Sequence, residues 1–230
     1  SGAQRSGQEL AEQLETGLVR VARRDADAGA IAYFQSYSNT YVSADRLREV
    51  LSVVEPHLAH SHLARPRLEG TRAAASAGTR VIAVSVATRP DTLGDEALEI
   101  LRDLNGRVPV WVELGLEAGD DRILEEIRRF HTVADFVDAA ARAHAAGLMV
   151  VGHAILGLPG DGREGARRTA EVLAQSAVSG VKVHNLMVLR RTQLEKTWRA
   201  GGVDVLDPTT YVDWLADFVE RLRPDQILHR

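Results

Sequence analysis

A small set of polar side chains stands at the ends of apolar runs in this sequence. Glu113 and Glu117 lie four apart in Trp111–Glu117, and His153 precedes the turn Gly157-Leu158-Pro159-Gly160. Lys182 and His184 alternate within a fifth apolar run, Ser85 lies in a second, and the first runs into the polar loop Gln35-Ser36-Tyr37-Ser38-Asn39-Thr40. Carboxylates suit ribose hydroxyls and ammonium groups, and imidazoles move protons near neutral pH. Alternate residues of a strand share a face, so Glu113 and Glu117 point one way, as do Lys182 and His184. At roughly 13 Å apart along a strand, the two glutamates are too distant for a carboxylate dyad.

Each of these residues also has a structural reading. Glu113 and Glu117 could pair with arginines of the core, and His153 and His184 could be core histidines bonded to backbone. His131, Asp91 and Asp161 could cap helices. Trp111, Trp198 and Trp214 suit core or helix-face positions. His57, His60 and His62 have metal-compatible spacing, but in an irregular segment that reads better as a solvated loop. Gly157–Gly162 permits anion binding at a helix N-terminus but lacks the Lys-Ser/Thr of a phosphate loop and the dinucleotide glycine pattern.

The elements that position these side chains follow from apolar periodicity. Helices are expected over 8–24, from Ser43 as N-cap to 54, on to 104 after a turn at 88–91, over 120–129, 133–146 and 163–178, and over 209–221. Strands are expected over 30–34, 81–86, 110–117, 148–156 and 181–189, with a short last one at 226–229. Residues 55–80 read as a loop with a short helix. Continuous apolar strands alternating with helices favour a parallel sheet, hence an α/β fold of the partial TIM-like barrel type, with a doubly wound sheet as runner-up. In both, ligands sit at the carboxyl ends of the strands, where the polar residues concentrate; they are expected to converge on one mouth.

The 230 residues are 45% hydrophobic and 26% charged, enough for a packed core. The net charge is −4, Lys182 and Lys196 are the sole lysines, and no basic patch calls for nucleic acid. No run is long enough to span a membrane and no secretory pattern opens the sequence, so a cytoplasmic location is the default expectation. Cysteine is absent, which excludes disulfides, thiolate catalysis and cysteine-held metal for these residues.

The segments Tyr33–Tyr41, Ala87–Asp91, Trp111–Glu117, His131-Thr132, Gly152–Gly160 and Val181–His184 together resemble the radical S-adenosylmethionine (SAM) superfamily. They are most similar to the YhcC-like group, and less so to the radical SAM domain of the elongator catalytic subunit. The resemblance implies a radical SAM-type (βα)6 partial barrel over residues 1–230, one domain, that binds SAM and acts on an unknown substrate. It implies that Gln35, Ser36, Tyr37, Ser38 and Asn39 meet the amino and carboxylate groups of SAM, with Ser85 nearby. Glu113 and Glu117 would meet ribose or the methionine part, and His153 and Gly157 would lie on the stretch approaching adenine. Lys182 and His184 would face the centre, toward substrate or the SAM carboxylate.

The sequence departs from the family pattern in its missing three-cysteine loop, which holds the [4Fe–4S] cluster in relatives. Arg128-Arg129-Phe130-His131 and Arg190-Arg191-Thr192 stand where a glycine is usual. One expectation is that the first strand and cluster loop lie outside these residues, so that a cluster is present only if that segment supplies cysteines. The alternative is a cluster-free homologue, a pseudoenzyme candidate acting as a non-radical SAM-binding enzyme or as a scaffold with a protein partner. An unrelated βα-barrel hydrolase or isomerase using Glu113, His153 and Lys182 is a third reading.

Overall fold

The computed structural model describes residues 9–35, 37–59 and 79–229. Ser36, His60 and His62 lie outside the described residues. In chain order the elements are α1 (Leu10–Arg24), β1 (Ala30–Phe34), α2 (Ala44–Ser52), β2 (Val81–Thr88), α3 (Asp95–Asn105), β3 (Val110–Glu117), α4 (Asp121–Glu126), α5 (Val133–Ala145), β4 (Met149–Leu156), α6 (Gly162–Gln175), β5 (Gly180–Asn185), α7 (Gln193–Arg199), α8 (Pro208–Val219) and β6 (Ile227–His229). Short 3-10 turns follow α2 and β2. The strands hydrogen-bond in chain order, β1 through β6, and the fold is α/β. A doubly wound sheet reverses its strand order at a switch point; this order never reverses, which removes that alternative. No described helix is long and apolar enough to cross a membrane.

Contacts group the chain into two compact units. The first holds α1 to α3, β1, β2 and the start of β3. β1 pairs with β2 in parallel, with Tyr33 beside Ser85. Ser43 caps α2 as expected, its hydroxyl accepting from the Arg46 amide at 3.3 Å. The helix then buries Leu47 and Leu51, while α3 buries Leu101 and Leu104. Full burial of each such leucine stabilises the unit by about 1.5–3 kcal/mol.

The second unit holds Arg89–Asp91, the rest of β3 and most of the chain beyond it. β4, β5 and β6 are parallel neighbours; His153 lies beside Lys182, and Lys182 beside His229. Phe136 and Leu173 cover one face of β4, and a Cβ at Gly152 would press on both side chains. The α6 helix comes close enough to the end of β3 that the Gly119 amide donates to Thr169 Oγ1 at 2.7 Å. Asp217 on α8 accepts from Arg163 and Arg167 on α6 at 2.8 and 2.7 Å, and those arginines hold its carboxyl well below the usual carboxylate range. The chain's last strand is tied in by Gln226, whose side chain donates to the Leu173 and Val178 carbonyls.

Several expected element ends change; α6, expected to run to 178, ends at Gln175. The fifth strand ends at Asn185 rather than 189, because its partner β4 ends at Leu156 and Gly157 turns away with φ +84°. The helix expected over 120–129 stops at Glu126, and Arg128 takes the left-handed φ of 58°.

Candidate active site

The second unit brings four of the expected side chains together. Glu113 on β3 is sealed, its side chain 5% exposed. Its Oε2 accepts from His153 Nε2 at 2.7 Å and from Lys182 Nζ at 3.0 Å. A carboxylate here meets an ammonium that is itself buried, as a charge removed from water requires. Glu113 pairs with a lysine, and His153 bonds to a carboxylate, where its structural reading had it bonded to backbone. The His184 ring lies 5.5 Å from that of His153, tilted by 55°. Partial burial lowers the His184 pKa, with the positive ends of His153 and Lys182 acting in the same direction.

His229 belongs to this group and was not anticipated. Its register beside Lys182 places it on the same face, and a Cβ at Gly180 would overlap its ring. Burial lowers its pKa against the opposing pull of Glu113. The pattern that would have found it is a histidine in register with a same-face lysine, hidden because β6 is only three residues long.

Glu117 closes β3 in the left-handed region, φ +69°, which for a non-glycine residue stores strain of roughly 1–3 kcal/mol. It pairs with Arg129 at 3.2 Å, and Arg129 also donates to the Gly115 carbonyl at 3.2 Å. Glu117 therefore does pair with an arginine, as its structural reading expected. Burial raises its pKa, partly offset by Arg129 and His153. A Cβ at Gly115 would overlap both side chains of that pair, so the glycine makes room for it. The buried His131 has its Nε2 3.4 Å from the Leu116 carbonyl, so it braces the strand instead of capping a helix. Burial, then Arg129, lowers its pKa.

Gly157 turns the chain after β4, and a Cβ there would lie 3.0 Å from Leu206. The following helix start does not read as an anion site. Asp161 occupies the N-cap position of α6 without making a capping bond, which corrects its expected role. Its carboxyl is buried, and burial pushes its pKa up to about 6 against the pull of Arg168. Asp91 likewise pairs with Arg89, at 2.6 Å.

In the first unit, the polar loop is shaped by Asn39, whose amide donates to the Phe34 and Ala87 carbonyls at 2.8 Å each. Thr40 is buried against Thr88 and Thr92. Tyr37 is exposed, with φ 62°, Ser38 is half-buried, and Ser85 is buried. Gln35 is exposed and, with Asn39, lines a cavity of about 370 Å³ between α1 and β1. Among the described residues, no group of three or more His, Asp or Glu side chains is placed to hold a metal ion.

Comparison with known proteins supplies the family. The radical SAM superfamily pattern matches residues 20–173, and that of the radical SAM C-terminal domain matches residues 178–230. YtqA of Bacillus subtilis is 32% identical over 211 residues, covering 92% of this chain and 59% of YtqA. YhcC of Escherichia coli is 29% identical over 224 residues, covering 96% of this chain and 64% of YhcC. The chain thus spans less than two thirds of these relatives' lengths. The structure of archaeal Elp3 from Methanocaldococcus infernus, with an N-terminal deletion, superposes with a TM-score of 0.72 at 17% identity, over 96% of this chain and 51% of that one. It has the same fold, the partial TIM-like barrel expected from the sequence. With a superfamily match across more than half its length, this chain belongs to the radical SAM superfamily.

Proposed function

We propose that this chain is the SAM-binding core of a radical SAM-type enzyme acting on a small molecule. The superfamily match over residues 20–173 carries the reading. Support from the chemistry comes from Glu117, a half-buried carboxylate at a strand's carboxyl end, where hydroxyl and ammonium donors of an adenosyl ligand could be met. Gly157, just after the next strand, permits the left-handed turn that ends it, φ +84°.

In this reading Glu117 and Gly157 contact SAM in the second unit, and Glu113, His153, Lys182 and His184 line the side facing substrate. SAM supplies an activated sulfonium centre; the protein's own groups bind it, orient it and exclude water. The 230 residues contain no cysteine, so they do not fit a [4Fe–4S] cluster. The proposed place for that cluster is a loop outside these residues, together with the barrel's first strand.

Equilibrium dialysis of labelled SAM against the folded protein tests the binding. Saturable uptake supports the reading; no uptake by protein of verified fold contradicts it. The full gene product decides the cluster: a three-cysteine loop is expected, and its absence would overturn radical chemistry.

A further inference from the structure

His153 is anchored on one side and open on the other. Its Nε2 lies 2.7 Å from Glu113 Oε2. A carboxylate oxygen can only accept, so the Nε2 carries the proton and the Nδ1 of the neutral ring presents a bare lone pair. No described residue bonds that Nδ1, and it is not among the sealed polar atoms. Glu113 is fixed by Lys182, 3.0 Å away, so the carboxylate has little freedom to leave the imidazole. The other ionisable groups around the ring are Glu117, His184 and His229.

A histidine kept for packing alone is usually bonded at both nitrogens or braced on a carbonyl, as His131 is on Leu116. A carboxylate behind the ring does more, because it stabilises the imidazolium that forms when the far nitrogen takes a proton. We propose that Glu113 and His153 form an acid–base dyad that acts, through His153 Nδ1, on a bound small molecule bearing a hydroxyl or a protonated amine.

The O–H or N–H proton of the ligand passes to Nδ1, leaving the ligand as its conjugate base. The ring becomes imidazolium, with its Nε2–H still on Glu113; the reverse transfer returns the proton. Lys182 is a positioning residue, acting through Glu113. The inference names the substrate chemistry for the proposed small-molecule site and rests on that reading for the ligand's presence.

Two readouts test it without SAM. In protein labelled with 15N-histidine, long-range 1H–15N spectra at pH 8 should show His153 as the Nε2–H tautomer. Diethylpyrocarbonate, with modification followed residue by residue by mass spectrometry, should react with His153 in the wild type. It should react several-fold more slowly in Glu113→Gln, while His57, remote in sequence, reacts at an unchanged rate. An Nδ1–H tautomer, or an equal His153 rate in the folded variant, overturns the dyad. If Glu113→Gln does not fold, Glu113→Asp takes its place with the same expected slowing, and the tautomer is read on the wild type in any case. Because neither readout involves SAM, loss of the dyad and loss of SAM binding are separate results.

Discussion

Glu113 and Lys182, 69 positions apart in sequence, meet at 3.0 Å on adjoining parts of the second unit, both buried. Removing Lys182 takes the ammonium from a buried carboxylate and leaves its charge less well compensated. Lys182→Met is therefore expected to destabilise the protein by about 3–5 kcal/mol. Adding Glu113→Gln should restore part of that loss, because the pair is then removed as a whole. Urea denaturation of the two single variants and the double gives the coupling; strictly additive losses would show that the pair does not act as one.

Gly115 exists to make room. Gly115→Ala is expected to displace the Glu117–Arg129 pair and to destabilise by about 1–3 kcal/mol, the usual result of overpacking. Gly17 on α1 is the contrast, since a Cβ there meets nothing within 4 Å. Gly17→Ala should stabilise by roughly 0.8–1 kcal/mol through helix propensity. Thermal or urea midpoints check both signs.

Asp161 makes stability depend on pH. Its folded pKa, about 6, lies above the ordinary 3.8, so the folded state holds its proton more tightly than the unfolded chain does. The contribution is fully present below the unfolded value and is lost as pH rises from about 4 through about 6. Asp161→Asn should therefore gain on the wild type as pH rises, by about 2–3 kcal/mol at pH 7 relative to pH 4. Denaturant midpoints at the two pH values measure it; a constant difference would contradict the shift.

Much of this was legible from residue order. β1 falls on 30–34 as expected because Gly29 and the polar loop bound a short apolar run. The shared face of Lys182 and His184 followed from strand alternation. α7 was not expected, since it buries no residue and so lacks an apolar stripe. Its signature was present in another form, a Thr-x-x-Glu start: Thr192 accepts from the Glu195 amide, and Glu195 reaches back to the Arg191 amide, one residue before the cap. The joining of Glu113 to both His153 and Lys182 was not readable, because strand alternation places side chains on a face but not in register across strands. Nor could a sequence show that Glu117 takes a left-handed backbone and pairs with Arg129.

The proposal that this superfamily core grips SAM through the carboxyl end of β3 meets its most direct test in titration calorimetry. SAM added to the wild type should give saturable heat, and Glu117→Ala should weaken the affinity about tenfold or more, the loss of one charge-assisted hydrogen bond. Equal affinity in the two folded proteins, or no heat from either, would contradict it.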